Sequence, residues 1–223
     1  FSELQKLSTE VPVKMCTAGN LGEQYISGAV HKKNRFATLP VYTRGDGYDS
    51  KRGRTMRQCT VEFKIIPQER AMKNFMGFKK GERVAGKKNV LCMMGISYDE
   101  AQRIKPNKTP WIDNYFPLCE ERVTRDQCAD LLKEYGWGEM RKSSCTFCPF
   151  RSDRAWLWLQ ENEPEIFAEA IAFDHAIRDQ SKTGLKDKAY LHSSCRPLEE
   201  VDFTHGGQME FDFIGCDEGY CGL

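Results

Sequence analysis

The sequence predicts an α/β domain built on a parallel sheet, and three observations carry that expectation. Asn89-Val90-Leu91-Cys92-Met93-Met94-Gly95-Ile96 is a nearly continuous apolar run, the mark of a strand covered on both faces in a parallel sheet. Segments with helical apolar spacing alternate with it and with a second extended stretch at 110–118, as strand–crossover–strand units require. The 223 residues, 40% of them hydrophobic, suffice to enclose one sizeable core.

Taken in order, Phe1-Ser2-Glu3-Leu4-Gln5-Lys6-Leu7 reads as a short amphipathic helix, Val11 to Cys16 as a short strand, and 18–27 as a return by loop or helix. Residues 31–58 are polar and basic, broken by Gly45, Gly47 and Gly53, which fits a mobile loop over a site or a solvated insertion. From Thr60 to about Phe78, the spacing of Phe63, Ile66, Ala71 and Phe75 suits a helix that takes Pro67 in its first turn or restarts there. A charged link, Lys79 to Lys88, precedes the buried strand. Ser97 or Asp99 then caps a helix carrying Arg103. Thr124 caps a helix from Arg125 to Tyr135, with Cys128, Leu131 and Leu132 at helical spacing, and Gly136 ends it. Asp153 caps a helix through Trp156, Leu157 and Leu159, and Pro164 opens another through Ile166, Phe167, Ala170, Ile171 and Ile177. The polar, Gly-rich tail from Ser181 reads as mostly loop. The expected division is an α/β domain over 1–140 and a Cys-rich C-terminal region over 141–223 packed on it as one compact unit.

A net charge of +1, from 33 basic and 32 acidic residues, gives no global attraction to polyanions, so any nucleic-acid or nucleotide affinity must come from local clusters. No run approaches the roughly 18 apolar residues of a membrane helix, and the N-terminus lacks a signal-peptide pattern. Ten cysteines without a secretory signal imply a reducing compartment and ligand or reactive thiols, with the cytoplasm expected and no membrane partner. Because the chain starts at Phe1 with no strand before its first helix, a preceding N-terminal piece is expected.

Lys142-Ser143-Ser144-Cys145-Thr146-Phe147-Cys148-Pro149-Phe150 is the most informative stretch. Two thiols separated by two residues, followed by Pro, grip one metal centre from a single tight turn. Arg57-Gln58-Cys59-Thr60 supplies a third thiol in a basic setting, and Cys216 and Cys221 close the chain. Arg57 and Lys64 beside Cys59, and Arg141 and Lys142 beside Cys145, favour deprotonation and offset the negative charge of a thiolate-bound group. An iron–sulfur cluster and a structural zinc held by four thiolates both suit this set, and a redox dithiol is a third reading. Cys92 is expected as a buried structural thiol, Cys119 and Cys128 as packing residues, and Cys16 as core. Cys195, near His192, is either a fourth ligand or a surface-loop thiol. Cys221 is read as a mobile reactive thiol, a ligand, or part of a frayed end.

Arg57, Arg103 and Arg125 fall at element ends beside cysteines or caps, positions that suit phosphate or sulfate gripped by guanidinium groups. Lys64 and Lys142 add to that set, and Ser97 and Asp99 stand at the strand-to-helix turn. Asp99 caps, contacts a ribose or orients an arginine there. His31, His175, His192 and His205 show no metal pairing at helical spacing, and no Ser/His/Asp set is discernible.

Four motifs occur in sequence: Arg57-Gln58-Cys59-Thr60-x-Glu62-x-Lys64-Ile65, Gly95-Ile96-Ser97-x-Asp99-Glu100-x-x-Arg103, Thr124-Arg125-x-x-Cys128 and Ser143-Ser144-Cys145-x-x-Cys148-Pro149-Phe150. Together, over about residues 1–200, they resemble the phosphoadenosine phosphosulfate (PAPS) reductase-like family of the PP-loop ATP pyrophosphatase superfamily, of the type carried by phages and mobile elements. The resemblance implies a Rossmann-like adenine nucleotide alpha hydrolase fold, here partial over 1–140. It also implies ATP or another adenine nucleotide as ligand, and sulfur transfer or sulfonucleotide reduction as chemistry. Related thiolating members carry an iron–sulfur cluster on three or four cysteines, which favours a 4Fe-4S cluster on Cys59, Cys145 and Cys148, with Cys216 or Cys221 completing the set. In the reductases a C-terminal Glu-Cys-Gly-Leu-His carries the catalytic thiol. Tyr220-Cys221-Gly222-Leu223 is similar but lacks the Glu and the His. The family's glycine–serine phosphate loop, whose backbone N–H groups hold phosphate, is absent, and Ser27-Gly28-Ala29-Val30 does not replace it.

Two routes follow from the resemblance. In thiolation, ATP adenylates a tRNA, DNA or other acceptor and a sulfide or persulfide from a sulfur donor displaces AMP. In reduction, Cys221 attacks the sulfur of a sulfate ester and a thiol reductant completes the cycle. The competing expectation is a zinc-stabilised nucleic-acid-binding module without catalytic activity, using the basic 31–58 loop on phosphates.

Overall fold

A computed structural model describes residues 12–27, 39–47, 49–85, 90–137, 144–181 and 184–204. The fold is mixed α/β. Among these residues, parallel pairing is confined to two short strands, and the larger sheet is antiparallel. The expected N-terminal helix, Lys142, Cys216 and Cys221 lie outside the described residues.

No strand forms over 12–20, where Val13 and Met15 stay exposed. The first described helix is α1, Leu21–Ile26, where the Asn20 side chain accepts from the backbone N–H groups of Gly22 and Glu23, the usual way of satisfying orphan donors at a helix start. The basic stretch read as a loop contains two strands. β1, Tyr42–Arg44, lies between β2, Gly53–Arg54, and β5, Lys188–Tyr190, antiparallel to both. β5 falls in the tail read as loop. Its short Lys-Ala-Tyr pattern carries little period-2 signal, and pairing with β1 stabilises it through burial of Ala189.

A helical stretch starts at Cys59, passes through a wide π turn over Val61–Ile65 and continues as α2, Ile66–Phe75. Pro67 has no amide to donate to the carbonyl four residues back, so a regular α turn cannot run through this point. The N–H of Ile66 instead reaches the Val61 carbonyl. β3, Val90–Met93, pairs in parallel with β4, Ile112–Tyr115. Contrary to the expectation of two covered faces, Leu91 and Met93 are 64% and 70% exposed. Only the face of Val90 and Cys92 joins the small apolar cluster of Trp111, Ile112, Val84 and, from the region of α2, Met72 and Met76.

A 3₁₀ helix, Tyr98–Arg103, follows β3. Its N-cap Ser97 makes no side-chain capping bond. A single turn, α3 at Pro117–Glu120, follows β4, and α4, Arg125–Glu134, opens with a reciprocal capping box between Thr124 and Gln127. Gly136, at φ +76°, terminates α4 as expected. α5, Asp153–Asn162, is capped by Ser152, whose side chain accepts from Ala155, one residue before the expected cap. α6, Pro164–Ala176, opens on its proline, and a 3₁₀ turn at Leu198–Glu200 follows β5.

The main core brings Tyr25 of α1, Leu39 and Val41, Trp156 and Leu159 of α5, Phe167 and Phe173 of α6, and Leu191 and Leu198 together, so it draws on both sides of residue 140. Asp174 is fully buried within it. Its carboxylate accepts from the backbone N–H of Leu191 at 2.7 Å and of Leu198 at 3.2 Å, and it pairs with Arg178. Burial pushes the carboxyl upward against the pull of those amides and of Arg178. Arg178 in turn lies 3.9 Å from the Tyr190 ring centroid. One acid thus fixes the exit of β5 and the last 3₁₀ turn to α6. Asp174→Ala leaves Arg178 and two buried amides without their acceptor, and should lower unfolding free energy by about 3–5 kcal/mol, read as a lower urea midpoint with unchanged slope.

Candidate metal centre

Cys145 and Cys148 sit on a tight turn closed by the Cys148 N–H to the Cys145 carbonyl at 3.1 Å, and the Arg151 N–H to the Cys148 carbonyl at 3.1 Å follows it. Phe147, between the two cysteines, stacks on Phe173 with ring centroids 4.0 Å apart. Gly22 of α1 makes room for it: a Cβ there would meet the Phe147 ring at 3.0 Å. The turn is thereby laid on the main core, against which Cys59 also packs.

The three thiols meet in one region. The charge of Cys145 is felt at Cys59, and Cys148 feels both. Burial is the largest influence on Cys59 and raises its pKa, Cys145 adds to the rise, and Arg57 and Lys64 oppose it. Burial likewise raises Cys148, with Cys145 and Cys59 adding to the effect, while the Phe150 N–H and Arg151 oppose it. Arg57 also donates through Nε and Nη2 to the Thr60 hydroxyl at 3.2 and 3.0 Å, which folds it back over the helix entry. Arg151 donates Nη2 to the Cys145 carbonyl at 3.2 Å and lies 5.0 Å from the Trp156 ring centroid, while its buried Nε–H has no partner among the described residues.

Among the described residues, no group of three or more His, Cys, Asp or Glu side chains is gathered tightly enough to hold a single metal ion. A tetrahedral zinc with Zn–S bonds of about 2.3 Å draws its sulfurs to within about 4 Å of one another. A cluster spreads its thiolates wider, because each sulfur binds a different iron. Three soft, mutually repelling donors, a cationic rim and an orphaned buried N–H suit such an anionic group.

The remaining predicted residues form a second set at the carboxyl ends of β3 and β4. Arg103 pairs with Glu100 at 2.8 Å and Arg125 approaches the same oxygen at 3.8 Å. Asp99 does cap, but on α4 instead of its own helix, accepting from the Arg125 N–H at 2.9 Å. Burial would raise Asp99, yet that N–H, its own N–H and the Arg125 charge hold it below the usual carboxylate range. An anion at Arg103 and Arg125 therefore competes with carboxylates already in place.

Cys195 is not a surface thiol. It is buried at φ +55°, with Sγ 3.8 Å from the Thr43 carbonyl. Cys119 donates to the Ile96 carbonyl at 3.1 Å, a packing role as expected. Cys16 is half-buried and outside the core. A Ser/His/Asp contact exists that the sequence did not disclose: His192 reaches Asp153 at 2.9 Å and Ser194 at 2.8 Å. The Ser194 N–H also points at His192 Nδ1, so the ring pins the 192–195 turn to the start of α5. Tyr42, Arg54, Phe150 and Arg151 belong to the cysteine region and were missed. Tyr42 lies opposite Arg54 in the β1–β2 register and feels Cys148 and Cys195, and Arg54 and Arg57 lie 5.0 and 5.3 Å from the Phe150 centroid.

Comparison with protein-family models, curated proteins and solved structures returned no match.

Because Cys59 and Cys148 hold their protons above the ordinary thiol range, a thiophilic ion must displace them. Affinity for cobalt(II) should climb as pH rises from 6.5 to 8.5, by up to about tenfold per unit for each proton displaced, followed by thiolate-to-cobalt absorption. Phe147→Ala should cost about 2 kcal/mol and reduce that absorption at every pH.

Proposed function

We propose that the chain is a sulfur-handling enzyme, acting by sulfur transfer or sulfonucleotide reduction, in which Cys59, Cys145 and Cys148 hold an iron–sulfur cluster and an adenine nucleotide is bound nearby. The reading is carried by one observation: three thiols distant in sequence become electrostatic neighbours inside a rim of Arg57, Lys64 and Arg151. Metal-free, Cys59 and Cys148 are protonated near neutrality, which makes them poor nucleophiles and suits them to ligation, where the metal removes the proton. Bound there, a cluster supplies electrons or a sulfur-binding iron. The Arg57 charge acts on the Cys59 sulfur, and the Arg151 Nε–H is available to an anionic group within the site. Phe147 on Phe173 and Arg151 over Trp156 cover the Cys148 side of the turn, while Cys145 is exposed.

The Rossmann-like arrangement is part of this proposal. It is supported by the parallel β3–β4 pair and by Arg103 and Arg125 following its two carboxyl ends, where open α/β sheets bind nucleotides. The fourth ligand and the mobile thiol remain with Cys216 and Cys221 as sequence expectations. The competing zinc module would draw on the same three thiols and a fourth donor.

Anaerobic purification followed by iron, sulfide and zinc analysis tests the reading. Visible charge-transfer absorption with iron and sulfide in stoichiometric ratio is expected, and Cys59→Ser, Cys145→Ser and Cys148→Ser should each remove at least half of the iron while Cys92→Ser retains it. A colourless protein with stoichiometric zinc and no iron sinks it.

A further inference from the structure

A second group of sulfur donors lies under the parallel strands, apart from the Cys145–Cys148 turn. We propose that Cys92 of β3 and Met94 just past its end, with Met72 and Met76 from the side of α2, bind a monovalent thiophilic cation of the copper(I) or silver(I) kind. This site does not depend on what the cysteine turn holds.

Cys92 and Met94 are two residues apart in extended chain, so their side chains stand on one face. The Met94 N–H is held by the Tyr115 carbonyl at 2.8 Å, and the Cys92 Sγ lies 3.7 Å from the Met94 Sδ. Two sulfurs bound to one ion at about 2.3 Å keep just such a spacing. Met72 and Met76 are one helical turn apart, joined by the Met76 N–H to the Met72 carbonyl at 3.0 Å. With Cys92 they pack against the same cluster of Val84, Trp111 and Ile112. All four sulfur-bearing residues are half-buried, covered yet open to an ion from solvent, and flexible thioethers can turn toward it.

The donor set selects the ion. One thiolate and neutral thioethers are soft ligands, which favour copper(I) and its analogue silver(I) over harder divalent ions. Charge points the same way. Binding exchanges the Cys92 proton for the ion, Cys–SH + M⁺ → Cys–S–M + H⁺, and the product carries no net charge. A neutral group is tolerated beside Trp111 and Ile112, both buried, where a net charge is costly. A divalent ion on the same donors leaves one positive charge there, and Lys73 already stands 5.7 Å from the Trp111 centroid. Without the ion, burial raises the Cys92 pKa and the site rests as a neutral thiol.

Methyl NMR of the chain labelled with carbon-13 at its methionines tests the site, under anaerobic titration with silver(I), a probe that keeps its oxidation state. The titration runs until free silver registers at an electrode, so that thiols elsewhere are filled as well. The Met94 methyl, with that of Met72 or Met76, should shift and saturate. Cys92→Ala should weaken this response about a hundredfold and Met94→Leu about tenfold, while Cys145→Ser leaves it intact. Met94→Leu keeps the packed volume and decides alone if Cys92→Ala fails to fold: weaker silver binding supports the site and unchanged binding overturns it. Methyl signals that stay in place, a Met94 shift that survives Cys92→Ala, or one that is lost in Cys145→Ser also overturn it. Zinc(II) moving the same methyls at equal concentration overturns the choice of a monovalent ion.

Discussion

Phe147 is the residue through which the cysteine turn is held. Its ring lies flat on Phe173, in space that Gly22 leaves open, and it is flanked on the chain by one thiol two residues before and another directly after. A turn of this length has few backbone bonds of its own, and the turn hydrogen bond from Cys148 to Cys145 does not say where on the protein the turn rests. The stacked ring does. Because α1 and α6 share the core with the first residues of the helical stretch beginning at Cys59, seating Phe147 also determines that the turn faces Cys59. The three sulfurs are neighbours as a consequence of apolar packing, before any metal contributes.

That order of events carries an electrostatic cost. Packing removes water from Cys59 and Cys148 and sets them near one another, and both effects favour the protonated thiol. Arg57, Lys64 and Arg151 oppose this but do not outweigh it. A lone catalytic thiol would call for the reverse balance, with cations prevailing over burial. A ligand set tolerates the observed one, since the metal's charge exceeds anything the rim provides and the rim then offsets the net negative charge of the assembled group.

Much of this was legible in the sequence where the physics is local. Pro164, the Thr124 cap and Gly136 mark helix ends by chemistry confined to a few residues, and all three function as read. The Cys-x-x-Cys turn and the basic setting of Cys59 were likewise visible. The misses are non-local. β1 and β5 are three residues each and exist through pairing with partners far away in sequence, which no window of their own composition reveals. Tyr42 and Arg54 join the cysteine region only because those strands pair. The burial of β3 was overread because an apolar run records what a strand tolerates, whereas the cover over Leu91 and Met93 depends on other elements. Asp99 was recognised as a cap, but the amide it meets belongs to Arg125, beyond the reach of a local rule.

The helical stretch from Cys59 to Phe75 is what relates the two halves of the candidate site. At its start stands a thiol, and toward its end Met72 joins the apolar cluster under the parallel strands, while Lys73 lies 5.7 Å from the Trp111 centroid and Glu69 accepts from Thr109. The π turn sits between these two attachments. Its extra residue rotates everything after it relative to Cys59, so the register that aims the sulfur toward the Cys145–Cys148 turn and the register that seats Met72 on the β3–β4 pair are both met by one helix. Pro67, which forbids the regular bond at this point, thereby serves the site, and π turns recur at functional positions for this kind of reason.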